Sequence, residues 1–153
     1  MLRKIKGILK NSYLTKKGYI KLSKIYQRYK KANYNNLVQG KGPNILIELE
    51  KILEQTECEF FFDMGTLLGI IREGKLIDFD ADIDIGIILR NPQIILDVRK
   101  AMVSNGAIYT RKYIVDNIGE TINSFKYKGI DIDICYYFET SQDLIGYLFY
   151  DPE

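Results

Sequence analysis

The amino-acid sequence predicts an α/β (α+β) fold, in which a mixed β-sheet of about four or five strands is flanked by helices. Three observations favour this class. Segments with the two-residue period of a strand alternate along the chain with segments that have helical spacing. The length of 153 residues suits one domain. The hydrophobic content of 46% is enough to build a buried core in a domain of this size.

The N-terminal segment is strongly basic. The first 47 residues contain twelve Lys or Arg and no acidic residue, whereas the remainder contains ten basic and twenty acidic residues. Apolar residues such as Leu22 and Ile25, spaced by three or four, predict an amphipathic helix. A break follows over residues 39–44, where Gly and Pro are concentrated. We therefore predict a basic amphipathic helical arm and linker over residues 1–43 and a core domain over residues 44–153.

Several roles are open for the basic arm. Residues 1–36 would suit contact with an anionic membrane surface, or with a phosphate-rich glycan or lipid-linked glycan acceptor. Alternatively, the apolar side of the arm packs on the core domain while its Lys residues are solvated. Nucleic acid is not expected as a partner, because the core domain is acidic.

The elements of the core domain follow from local patterns. A helix is expected from residue 45, with Asn44 as its N-cap. Pro92 suits the first turn of a later helix, and Lys128-Gly129 suits a tight hairpin turn. The predicted elements are, in order, a helix at 45–54, a strand at 59–62, a helix at 65–72, a strand at 82–88, a helix at 92–104, and strands at 107–114, 121–128 and 130–138.

The composition excludes several kinds of chemistry. The chain has no His, which removes Ser-His and Cys-His nucleophile systems and leaves oxygen as the main metal-ligating atom. The two cysteines, Cys58 and Cys135, have no spacing typical of a disulfide framework or a zinc site. No apolar run approaches the ~18 residues of a membrane-spanning helix, and no signal peptide is recognisable. We therefore expect a cytoplasmic protein, which the arm could hold at the inner face of the membrane.

Two acidic residues alternate with isoleucine in the strand predicted at 82–88. Asp82 and Asp84 are two positions apart, so their side chains share one face of the strand. Carboxylates about 7 Å apart repel each other unless a cation lies between them. Carboxylate oxygens are the ligands that Mg²⁺ and Mn²⁺ prefer. The pattern therefore predicts a divalent-metal site, to which Asp80 belongs if the strand extends that far.

The same alternation recurs at Asp131 and Asp133. A neighbouring strand that brings either of these residues beside the first pair would complete a three-carboxylate site for one or two divalent ions, which suits phosphate chemistry. An exposed acidic strand face is the alternative for either pair alone. A calcium-binding EF-hand loop is excluded, because Ile85 and Asn91 stand where that loop needs Gly and Glu.

A turn from a strand into a helix is predicted at the segment Gly65-Thr66-Leu67-Leu68-Gly69. Backbone N–H groups at the start of a helix bind phosphate oxygens, and glycine permits a close approach. An ordinary turn with a threonine helix cap is the alternative. The position of this turn, shortly before the acidic strand, favours the phosphate-binding interpretation.

Taken together, the turn and the acidic strand resemble the signature of the LicD/fukutin family. The matching residues are Gly65, Thr66, Leu67, Leu68, Gly69, Arg72, Gly74, Asp80, Asp82 and Asp84. The later segment Asp133-Ile134-Cys135 is similar to the third acidic segment of that family. The resemblance covers residues 44–138 and implies a nucleotidyltransferase-type fold.

The resemblance also implies roles for individual residues. Asp82, Asp84 and Asp133 would be the catalytic residues and the metal ligands. Asp133 would in addition accept the proton of the attacking hydroxyl. Gly65 and Thr66 would contact the phosphates of the donor substrate.

The reaction that the resemblance implies is transfer of phosphocholine, or a similar phosphoryl-linked group, from a CDP-activated donor to a glycan or cell-surface polysaccharide. Arg72 would steady the phosphate charge of the donor, and an ion pair at the helix end is its alternative role. Two other functions stay open, namely another nucleotidyltransferase that acts on a small molecule or protein, and a non-catalytic remnant that binds a membrane or partner. Ala81 and Asp78 depart from the family pattern. Family members usually continue beyond the equivalent of residue 153, so three alternatives stay open for this core: a C-terminally truncated fragment, a minimal member, or a remnant without activity.

Overall fold

The computed structural model describes residues 36–78, 80–140 and 143–146. The chain divides into two compact units, Met1–Tyr34 and Asn35–Glu153, and the described residues all belong to the second unit. Of the predicted basic arm and linker, residues 1–35 lie outside the described residues and residues 36–43 are described. None of the described helices is both long and apolar enough to cross a bilayer.

The described elements alternate between helices and strands, as the sequence predicts. Residues 36–53 form the first helix, α1. The later elements are β1 (Glu59–Phe62), α2 (Met64–Glu73), β2 (Asp82–Ile88), α3 (Gln93–Ser104), β3 (Ile108–Val115), β4 (Gly119–Tyr127), β5 (Ile130–Glu139) and β6 (Leu144–Gly146).

The strands form one mixed sheet, which confirms the predicted α/β fold. The order of the strands is β1-β2-β5-β4-β3, and β6 pairs with β5. Strands β2 and β5 run parallel, whereas the other pairings among the described strands are antiparallel. The sheet has six strands, one more than expected. The added strand, Leu144–Gly146, has three residues and is too short to show a periodic pattern.

The prediction for the start of the first helix is wrong. Helix α1 runs through Gly42, Pro43 and the predicted N-cap Asn44 without a break. A Cβ atom at Gly42 would overlap the side chain of Leu76, so the glycine lets this helix pack closely. Buried apolar residues recur on α1 at helical spacing: Val38, Ile45, Leu49, Ile52 and Leu53. Their burial outweighs the low helix propensity of glycine and proline, and the helix therefore crosses the boundary predicted after residue 43.

The core lies on the isoleucine face of the two parallel strands. Ile83, Ile85 and Ile87 of β2 are fully buried, and so are Ile132 and Ile134 of β5. Helices α1 and α3 supply the apolar side chains that join this core. Because side chains alternate along a strand, the acidic residues of β2 and β5 must project from the opposite face of the sheet.

Gly69 on α2 is the point of closest approach between this helix and the chain that follows it. A Cβ atom at this position would lie 2.6 Å from the Lys75 carbonyl oxygen and 2.9 Å from the Ile77 nitrogen. Both atoms belong to the main chain and have little room to move. The second glycine of the Gly-Thr-Leu-Leu-Gly segment is therefore explained by packing.

We expect Gly69→Ala to lower the free energy of unfolding by about 1–2 kcal/mol, because overpacking outweighs the higher helix propensity of alanine. Urea unfolding followed by circular dichroism measures this change. Gly40→Ala is the matched control, since Gly40 is also helical and a Cβ atom there meets nothing within 4 Å. The control should raise stability by about 0.5–1 kcal/mol. Equal effects of the two substitutions would contradict the packing explanation.

Candidate metal and phosphate site

Four carboxylates lie in register on neighbouring strands. Asp82 pairs with Asp131, and Asp84 pairs with Asp133, across the parallel β2–β5 interface. Paired residues on adjacent strands project from the same face, with their strands about 4.8 Å apart. The structure therefore places both Asp131 and Asp133 beside the first acidic pair. The sequence analysis expected that one of these two residues would lie there.

Three carboxylates form the tightest group. Asp80, Asp82 and Asp84 each offer an oxygen atom, and these atoms all lie within 4.8 Å of one another. The third member of this group is Asp80, whereas the sequence analysis named Asp133 as the third metal ligand. Asp133 lies beside Asp84 on the next strand. The metal-ligand roles of Asp82, Asp84 and Asp133 stay predictions.

Asp131, the residue of β5 in register with Asp82, forms an ion pair with a lysine. Lys126 Nζ lies 2.8 Å from Asp131 Oδ1 and donates a hydrogen bond to it. This ion pair neutralises Asp131 and holds it towards β4. Of the two candidates on β5, Asp133 is therefore the residue placed to act with Asp84.

Burial and neighbouring charges raise the pKa values of Asp82 and Asp84. Burial raises the pKa of Asp82 to about 7, helped by a hydrogen bond with Asp80 and by the charges of Asp80 and Asp133. Burial also raises the pKa of Asp84 to about 7, and the charges of Asp82, Asp80 and Asp133 act in the same direction. A divalent cation would offset this repulsion with the oxygen ligands that it prefers. The residues present therefore fit a magnesium or manganese site.

These raised pKa values predict how stability depends on pH. In EDTA, the folded protein should bind protons at Asp82 and Asp84 below about pH 7, whereas the unfolded chain should bind them only near 3.8, the ordinary pKa of an aspartic acid. The folded state then holds more protons between these limits, so the free energy of unfolding must rise as pH falls from 8 to 5.5. The chain has no His to add a competing titration in this range.

Urea unfolding at several pH values measures the slope, and a shift of one pKa unit corresponds to about 1.4 kcal/mol. The double variant Asp82→Asn/Asp84→Asn should lose most of the slope, because its amides do not titrate. A metal-free wild-type protein that becomes less stable towards pH 5.5 would contradict the assignment.

The N-terminus of α2 is anchored to the acidic strand by a buried threonine. Thr66 is 1% exposed, and its Oγ1 accepts a hydrogen bond of 2.9 Å from the backbone N–H of Asp84. The Thr66 hydroxyl is thus turned into the protein and positions Asp84. The predicted contact between Thr66 and donor phosphates is limited to its backbone N–H, since the first N–H groups of a helix have no partner within that helix.

Gly65 makes room for an acidic side chain. A Cβ atom at Gly65 would overlap the Oδ2 atom of Asp80. The Asp80 carboxylate therefore packs directly on the first turn of α2, and this contact joins the predicted phosphate-binding turn to the carboxylate group. The two motifs meet in one site.

Arg72 and Gly65 lie at opposite ends of α2. Arg72 lies in the last turn of α2, seven residues and about 10 Å along the helix axis from Gly65. A positive charge at that end of a helix interacts favourably with the helix dipole. The predicted contact of Arg72 with donor phosphate and its helix-end alternative both stay predictions.

Two residues at the site were missed by the sequence analysis. Asp63 caps α2, with its Oδ1 accepting from the Met64 N–H at 2.8 Å and its Oδ2 accepting from the Tyr137 hydroxyl at 2.5 Å. An Asp directly before a helix is a recognised start signal, so this cap could have been found.

Met64 has a φ of 43°, a left-handed conformation that costs a non-glycine residue about 1 kcal/mol or more. No sequence signal marks this strain beside the site.

Comparison with known families decides the assignment. The family described as LicD/FKTN/FKRP, nucleotidyltransferase domain, matches residues 57–150, which is more than half of the chain.

The chain belongs to the LicD/FKTN/FKRP family.

The match contains the Gly-Thr turn and all the carboxylates described above, so it confirms the resemblance and the nucleotidyltransferase-like fold. Membership of the LicD/FKTN/FKRP family indicates a transferase of the phosphoryl or phosphocholine type.

Two further comparisons add context to this LicD/FKTN/FKRP domain. No curated protein matches the chain. Twelve chains of solved structures match, among them the crystal structure of ANT(2")-Ia in complex with adenylyl-2"-tobramycin. That structure shares 9% sequence identity, has a TM-score of 0.49 and covers 66% of this chain. The chain spans about half, 52%, of the length of the solved structure.

Proposed function

We propose that this protein is a metal-dependent transferase that moves phosphocholine, or a similar phosphoryl-linked group, from a CDP-activated donor to a glycan or cell-surface polysaccharide. The observation that carries the proposal is the contact between the carboxylate group and the start of α2, where the Asp80 side chain packs on Gly65. A cation site that adjoins the N-terminus of a helix suits a phosphate ester better than any neutral substrate.

The cation would be Mg²⁺ or Mn²⁺, held by Asp82 and Asp84 with Asp80 or Asp133. When bound, such an ion neutralises phosphate charge and stabilises the leaving oxygen. The backbone N–H groups of Gly65 and Thr66 lie at the positive end of the α2 dipole and would orient an oxygen of the donor diphosphate. The carboxylate-rich face and this helix end together select a phosphorylated donor.

The reaction needs a proton acceptor for the attacking hydroxyl. In the proposed step, the acceptor hydroxyl oxygen forms a bond to the outer phosphorus of the donor, the bond from that phosphorus to the bridging oxygen breaks, and CMP leaves. Asp133 is placed beside Asp84 in the strand register. We assign Asp133 the role of taking the hydroxyl proton, because a carboxylate within reach of the attacking oxygen acts as a general base.

Donor specificity tests the proposal. The full chain is incubated with Mg²⁺, an oligosaccharide acceptor and either CDP-choline or a related CDP compound, and release of CMP is measured. ATP, GTP and CTP are tested in parallel, with release of pyrophosphate as the readout. CMP release that requires both Mg²⁺ and acceptor supports the proposal. Turnover of a nucleoside triphosphate without any CMP release would instead favour another nucleotidyltransferase.

A further inference from the structure

The carboxylate face of the sheet continues across two more strands. Asp84 on β2 is in register with Asp133 on β5, which pairs with Ser124 on β4, which pairs with Arg111 on β3. These four residues form one cross-strand row and share one face of the sheet. A guanidinium group therefore stands in line with the candidate catalytic carboxylates.

A β-bulge is what places Arg111 on this face. Tyr109 pairs with Phe125 and faces the core, and the register then shifts between Tyr109 and Arg111. Without the shift, Arg111 would share the face of Tyr109, because residues two apart in a strand project from the same side. Bulges are enriched beside active sites, where they redirect a side chain. The extra residue here, Thr110, has its hydroxyl bonded to the Ser124 carbonyl oxygen at 2.9 Å.

The Arg111 side chain is oriented but has its terminal nitrogens available. Its Nε donates to Ser124 Oγ at 3.3 Å, and its guanidinium carbon lies 5.1 Å from the centre of the Tyr113 ring. Arg111 is exposed and has no ion pair with a carboxylate among the described residues 36–78, 80–140 and 143–146. A guanidinium held in this way can donate two parallel hydrogen bonds to the oxygens of a phosphate.

Ser124 stands between Arg111 and the carboxylates. Ser124 lies one strand spacing, about 5 Å, from Asp133, and Arg111 lies on the next strand outward with its Nε bonded to Ser124. The carboxylates of Asp80, Asp82 and Asp84 lie on the other side of Asp133 in the sheet. A group bound between these carboxylates and Arg111 would face a cation at one end and a guanidinium at the other. It must therefore be negatively charged at both ends.

We propose that Arg111 binds the diphosphate of the donor at the end turned away from the cation. The inference rests on the proposed function, since it assumes that a diphosphate is held at the carboxylates. The bulge at Thr110, the row from Asp84 to Arg111 and the hydrogen bond from Arg111 to Ser124 together carry it. Arg111 is thus a donor-binding residue supplied by a strand outside the segment that carries the Gly-Thr and Asp-Ile-Asp motifs.

Calorimetric titration of the full chain with CDP and with inorganic pyrophosphate, both in excess Mg²⁺, tests this role. We expect Arg111→Ala to weaken binding of both probes about tenfold or more, because a charge-assisted contact to phosphate is lost. Arg111→Lys should fall between the wild type and Arg111→Ala, since lysine keeps the charge without the fork. Lys112→Ala is the matched control, because Lys112 lies on the same strand but contacts Glu120 on the opposite face.

The outcomes separate this inference from the proposed function. Affinities of Arg111→Ala within about twofold of wild type for both probes, or an equal loss in Lys112→Ala, would overturn the role of Arg111. If the wild type binds pyrophosphate but not CDP, the CDP-donor proposal fails, and a loss of pyrophosphate binding in Arg111→Ala still supports the phosphate contact. If the wild type binds neither probe in Mg²⁺, both proposals fail. Unfolding curves without ligand show whether each variant is folded.

Discussion

Asp82→Asn and Asp84→Asn are each expected to abolish the stabilisation of this protein by Mg²⁺, with a loss of metal affinity of more than about 100-fold. Partners outside the ligand sphere alone affect metal affinity by about 10–100-fold, and these two carboxylates belong to the tight group itself. In EDTA at pH 8, the same variants should be more stable than the wild type. The reason is that each removes a partly buried charge that its acidic neighbours disfavour.

Thermal unfolding in Mg²⁺ and in EDTA measures both effects, namely the lost stabilisation by Mg²⁺ and the higher stability of the metal-free variants. The matched control is Asp131→Asn, since Asp131 is in register with Asp82 on the same face but forms an ion pair with Lys126. The control should keep the stabilisation by Mg²⁺. If Asp131→Asn loses the Mg²⁺ effect as fully as Asp82→Asn does, the cation is bound by diffuse surface charge and the site is wrongly placed.

Thr66→Val is expected to lower both stability and metal affinity. The substitution removes the oxygen that accepts the Asp84 N–H and leaves that buried donor unpaired, at a cost of about 1–3 kcal/mol. Because the same bond fixes the strand position of Asp84, we also expect about a tenfold loss of Mg²⁺ affinity. Valine has nearly the shape of threonine, so the lost hydroxyl is the main change.

Chemical unfolding and Mg²⁺ titration measure these two effects in the same samples. Thr66→Ser restores the oxygen and should return most of the metal affinity, even if the missing methyl group costs some stability. A Thr66→Val variant that is destabilised but binds Mg²⁺ like the wild type would show that the threonine supports only the fold. Full metal affinity in Thr66→Val and reduced affinity in Thr66→Ser would contradict the bond as the cause.

The sequence contained the local features of this site. The alternation of Asp and Ile from Asp82 to Ile85 predicts both the strand and the face that it buries, because period and polarity agree at these four positions. Helix α3 and the hairpin turn at Lys128-Gly129 were also predicted from local signals. Proline and positive-φ turn residues affect the conformation of their immediate neighbours. Local signals therefore sufficed for most elements.

Features that depend on distant residues were not predictable in this way. The register that sets Asp84 beside Asp133 depends on strands far apart in the chain, and the sequence left Asp131 as an equal candidate. The role of Thr66 depends on a bond to a residue eighteen positions later. The continuous helix through Pro43 depends on tertiary burial, which overrides propensity. The bulge that redirects Arg111 breaks the two-residue period on which strand predictions depend.

We propose that Asp82 and Asp84 hold a divalent cation beside the Gly65 turn. Crystals of the protein grown with Mn²⁺ and CDP, measured at an X-ray energy where manganese scatters anomalously, locate the ion directly. We expect one anomalous peak within about 2.0–2.3 Å of a carboxylate oxygen of both Asp82 and Asp84, with a CDP phosphate in the same ligand sphere. A peak held by other residues, or no peak at these two carboxylates at saturating Mn²⁺, would contradict the claim.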